Sequence, residues 1–119
     1  MSTYARWILW VGARNEDIDY DQITEEGKGF LEKLSEGVNI MAEYGTLQKI
    51  EEIHMHGRLV GLGIVCGNLD WTTDIETENE FHVPGDIELE IKKRVLQNDL
   101  ARFGIRVSPK VYHHIDLGG

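Results

Sequence analysis

A chain of 119 residues has room for one domain and little more. Its 21 acidic residues against 12 Lys and Arg leave a formal charge of −9, which disfavours the phosphate backbone of nucleic acid and anionic membrane surfaces. With 41% hydrophobic residues, three Trp, four Tyr and three Phe, the composition excludes a disordered chain. No run approaches the roughly 18 apolar residues that a membrane helix needs. Cys66 is the single cysteine, so no internal disulfide forms, which fits a reducing compartment. A soluble, cytoplasmic domain spanning residues 1–119 is expected, without repeats or internal linkers.

The first strand is expected over Ala5 to Ala13, around Trp7-Ile8-Leu9-Trp10-Val11. It is apolar on both alternating faces, as a central strand covered on both sides would be. A helix follows, from Asp21 or Thr24 to Tyr44. Ile23, Phe30, Leu31, Leu34, Val38 and Met41 recur at three-, four- and seven-residue spacings. Gly45 suits its C-terminal cap, while Gly27, Gly29 and Gly37 weaken it.

Strands two and three are expected at Gln48 to Met55 and Arg58 to Cys66, joined by the tight turn His56-Gly57. Val60, Leu62, Ile64 and Cys66 share one face of the third strand and read as core. Leu59, Gly61, Gly63 and Val65 share the other, where two absent side chains would let something approach the sheet closely. Gly67 to Val83 reads as a long acidic and aromatic loop, a kind that is often functional. The second helix is expected over Asp86 to Phe103, with a stripe of Ile87, Ile91, Val95, Leu96, Leu100 and Phe103. Acids precede bases along it, as the helix dipole prefers. The last strand, Ile105 to Leu117, contains Pro109 and therefore belongs at an edge.

This βαββαβ order resembles the ferredoxin-like α+β sandwich: a four-stranded antiparallel sheet of order 4-1-3-2 with two helices on one face. The resemblance rests on element order, and many unrelated functions share that architecture. It leaves one sheet face open. Trp10, Gly61 and Gly63, with Trp71 from the loop, would line a cleft there for a small apolar or aromatic ligand. A second copy of the chain is the favoured cover for such a patch, closing as a two-fold homo-oligomer.

Two acidic clusters are expected at opposite ends of the sheet. One holds Glu16, Asp17, Asp19 and Asp21; the other holds Asp70 to Glu80. His54 and His56, two apart on a strand, could join Asp17 or Asp19 to hold zinc, manganese or iron and activate a water. The plainer reading is a solvated turn. His113 and His114 should place one ring on each sheet face, and Cys66 reads as a buried, inert thiol. No nucleophile elbow, Walker loop, paired CxxC or HExxH is present, so no enzyme class and no cofactor is specified. Three functions are compatible with these residues. The first is a non-catalytic, oligomeric binding or regulatory module using the open face and the 67–83 loop. The second is an acidic interaction or inhibitor factor, of the kind phages encode, docking a basic protein surface. The third is a metal-dependent hydrolase built on His54 and His56.

Overall fold

The computed structural model describes residues 4–38, 40–72 and 84–118. Four strands form one sheet: β1 (Tyr4–Arg14), β2 (Glu51–Met55), β3 (Arg58–Thr72) and β4 (Lys110–Gly118). Its order is β2-β3-β1-β4, and every pairing is antiparallel. That is the expected order 4-1-3-2 read from the other edge. The helices are α1 (Glu25–Ser35), α2 (Ile40–Tyr44) and α3 (Asp86–Ala101). No helix among the described residues is long and apolar enough to cross a membrane.

The expected helix to Tyr44 is broken in two. It starts late, with the Thr24 hydroxyl accepting from Gly27 N–H at 3.0 Å. It stops where Gly37 turns left-handed at φ 73°. Val38 N–H then bonds to Lys33 carbonyl and Gly37 N–H to Leu34 carbonyl, the paired bonds of a Schellman stop. The chain restarts as α2 and ends at Gly45, also left-handed, as expected.

Phe30 and Leu34 of α1, Ile40 of α2, and Leu96, Leu100 and Phe103 in and after α3 pack against Val11, Ala13, Leu62 and Ile64 of the sheet. Phe30 and Phe103 stack at 4.2 Å, and Tyr44 meets both edge-on. Burying each such side chain stabilises by roughly 1.5–3 kcal/mol, so this cluster dominates the fold. The expected α3 stripe is only half right. Leu96 and Leu100 are buried, but Ile87 and Ile91 are 80% and 56% exposed. Leu89, Leu96 and Leu100 share one side of a 3.6-residue helix, and Ile87 and Ile91 lie on the opposite side.

Three strand boundaries also move. β2 begins only at Glu51, because Ile50 turns into the core and Leu47 N–H bonds to buried Asp99. β3 runs on through 67–72, which the sequence reading gave to a loop; there it pairs with Tyr4 to Leu9. β4 starts after Pro109, which has no N–H to give a ladder. The His56-Gly57 turn forms as expected, both residues having positive φ.

Candidate functional site on the sheet face opposite the described helices

Alternation along β1 sends Val11 and Ala13 to the helices and Ile8, Trp10 and Gly12 to the other face. A second apolar cluster sits on that face: Ile8, Trp10, Ile53 and Met55, with Val60, Val65 and Tyr112 against it. Val60 was expected on the helix side. The β2–β3 register slips between Ile53 and His54, placing two β3 residues against one, and this bulge turns Val60 over. A second slip, between Leu9 and Trp10, inserts Cys66 in the same way.

The glycines of this face are used up by the sheet itself. A Cβ on Gly63 would lie 2.2 Å from the Val11 carbonyl oxygen and 3.0 Å from Trp10 Cε3. A Cβ on Gly61 would lie 2.2 Å from the Ala13 carbonyl oxygen, and one on Gly12 2.0 Å from that of Leu62. What approaches closely is therefore the neighbouring backbone and the Trp10 ring. Trp10 is 0% exposed. Its ring stacks on Tyr112 at 4.5 Å, 27° between planes, and on His114 at 5.9 Å. The Arg14 guanidinium carbon lies 5.2 Å from the Tyr112 ring centre, and its Nη1 is 3.5 Å from Glu16 Oε1. Arg14, Tyr112, Trp10 and His114 thus form one continuous layer across β1 and β4.

Three polar atoms of that layer are buried without a hydrogen-bond partner among the described residues: Trp10 Nε1, Arg14 Nε and His114 Nε2. An unmatched buried donor or acceptor costs about 1–3 kcal/mol. Burial lowers the His114 pKa, and the Arg14 cation and His113 push it the same way. Burial likewise raises the Tyr112 pKa, with Asp17 adding to the rise and Arg14 opposing it. At neutral pH the layer is a neutral imidazole and a neutral phenol beside one guanidinium.

The other sequence candidates are not members of this layer, although Asp17 is near enough to act on Tyr112. His54 is on β2 with Nε2 3.8 Å from Glu52 Oε1, and His56 is in the turn at φ 52°. Asp17 closes a short 3-10 turn, and Asp19 Oδ1 accepts from Asp21 N–H at 3.1 Å. Among the described residues no group of three His, Cys, Asp or Glu is placed to hold a metal ion. Trp71 is on β3 opposite Ala5; residues 73–83 of the expected loop lie outside the described residues. Cys66 is half-buried. Burial raises its pKa, Lys92 opposing and Glu88 adding, so the thiol stays protonated at neutral pH. His113 faces Trp7 at 6.1 Å, on the opposite sheet face from His114.

Two clefts flank α3. One of about 350 Å³ is lined by Gln97, Ala101 and 105–108, and one of about 290 Å³ by Ile87, Ile91 and their charged neighbours. Neither includes a residue of the aromatic layer. Tyr112, His114 and Arg14 were not singled out as site residues from the sequence. Their signal is a register: β4 sets Tyr112 opposite Trp10 and His114 opposite Ile8.

Comparison with protein-family models found no match, and neither curated proteins nor solved structures supplied one.

Proposed function

We propose that this protein is a non-catalytic binding module, a ferredoxin-like two-layer sandwich whose sheet face opposite the described helices is its interaction surface. The carrying observation is the Arg14–Tyr112–Trp10–His114 layer with its three unpartnered polar atoms. Trp, Tyr and Arg are the residues that dominate protein–protein binding energy, and here the buried Trp10 ring backs the half-buried Tyr112 and Arg14, the members a partner can reach, and holds them in place. A broad stacked layer favours a protein surface over the small ligand that open glycines would have admitted. The lone cysteine supports a reducing, cytoplasmic setting.

The test is a photo-crosslinking residue placed at position 112, with position 87 on the far side of α3 as control. Adducts at 112 that vanish with Arg14→Ala support the reading. Adducts of equal yield at both positions, or none at 112, overturn it.

A further inference from the structure

We infer that β4 pairs with β4 of a second copy, antiparallel and in register about His113, to make a continuous eight-stranded sheet. This inference rests on the sheet edge and stands independently of the function proposed for the face.

β4 is an outer strand, so one side of its backbone has no strand beside it among the described residues. Its pairing with β1 runs from Gly12↔Lys110 to Tyr4↔Gly118 without a shift, whereas the β1–β3 and β2–β3 pairings each carry a bulge. A nine-residue edge that, among the described residues, pairs on one side only is a template for another strand. Two usual guards are missing: Pro109 precedes the strand and its pairing with β1 has no bulge, while Ile115 is 65% exposed; Lys110 is the guard that remains. No acid occurs from Leu100 to Ile115, in a chain whose net charge is −9. The opposite edge differs. β2 has only five residues, lies against the bulge in β3, and carries Glu51 and Glu52, which would repel a copy of themselves.

The strand also matches its own reverse. Centred on His113, the antiparallel register sets Lys110 against Asp116, Val111 against Ile115 and Tyr112 against His114. By residue type, a basic position faces an acidic one, an aliphatic position an aliphatic one, and a phenol an imidazole. A two-fold axis through such a pairing closes the assembly at two copies, while β2-to-β4 pairing would grow without end. This self-complementarity identifies a second copy, rather than an unrelated peptide, as the occupant. It also sets the two faces opposite the described helices on the same side, with Tyr112 of each copy beside His114 of the other.

Sedimentation velocity across a concentration series tests the pairing. The wild type should dimerise. Lys110→Asp should weaken the dimer roughly tenfold, since two opposite-charge pairs become like-charge pairs, and adding Asp116→Lys should restore it. Melting temperatures of both variants check that the fold is kept. In a Cys66→Ser background, His113→Cys should crosslink under mild oxidation and Val111→Cys should not. A protein that stays monomeric, binds a strand peptide in place of itself, or crosslinks equally at both positions overturns the inference. A monomer that still crosslinks a partner from position 112 would overturn it and leave the face-centred function standing.

Discussion

Trp10 lies close enough to Gly63 that a single methyl group cannot come between them. The added Cβ would stand 3.0 Å from the ring and 2.2 Å from the Val11 carbonyl oxygen. Backbone on one side and a fully buried indole on the other leave nothing to give way. Gly63→Ala is expected to cost about 3 kcal/mol, at the upper end of overpacking substitutions. A shift in the urea midpoint measures it; a loss under about 1 kcal/mol would mean that the strands part more easily than this geometry allows.

Gly37→Ala tests the opposite situation. Among the described residues no atom outside its chain neighbours lies within 4 Å of a Cβ there, but φ is +73°. The expected cost is the left-handed backbone penalty alone, about 1–2 kcal/mol. It should be clearly smaller than that of Gly63→Ala in the same unfolding experiment.

Asp99 is buried, and its Oδ2 accepts from Leu47 N–H at 3.0 Å across 52 positions. Asp99→Ala should cost about 1–3 kcal/mol, because it strands that N–H. Asp99→Asn keeps an acceptor oxygen and should lose less. Thermal unfolding of the pair separates the two, and equal losses would assign the effect to the lost carboxylate charge, which lies 3.8 Å from Arg102 Nη1, and not to the stranded N–H.

His114 titrates below the ordinary histidine value of 6.5, first because it is buried and then because Arg14 is near. Below 6.5 the unfolded chain therefore takes up this proton before the folded one does. Stability from His114 is present above 6.5 and drains away as pH falls toward the lower folded pKa. The pH dependence of the unfolding midpoint should flatten in that interval for His114→Phe. An unchanged slope would count against burial as the cause.

Long apolar or amphipathic runs made the architecture legible. β1, the His56-Gly57 hairpin and α3 all announce themselves through period and turn chemistry, and the sheet order follows from element order. The site was less legible because phase, not content, decides it. One bulge residue turned Val60 over, and another lengthened the pairing that carries β3 to Thr72. Neither leaves a mark in composition. The glycines of β3 were visible as gaps, but only the register shows that the neighbouring backbone and Trp10 already fill them. Ile87 and Ile91 fit a stripe on paper because the α3 pattern is shallow enough to be read at two angles.

Arg102 reaches across 57 and 58 positions to donate to the carbonyls of Gly45 and Tyr44. A five-residue helix cannot repay the entropy of its own nucleation. During synthesis, then, residues 40–44 leave the ribosome long before the cation that ties them down exists. Until Arg102 and Phe103 emerge, that turn has only its contact with Phe30 and its neighbours to hold it.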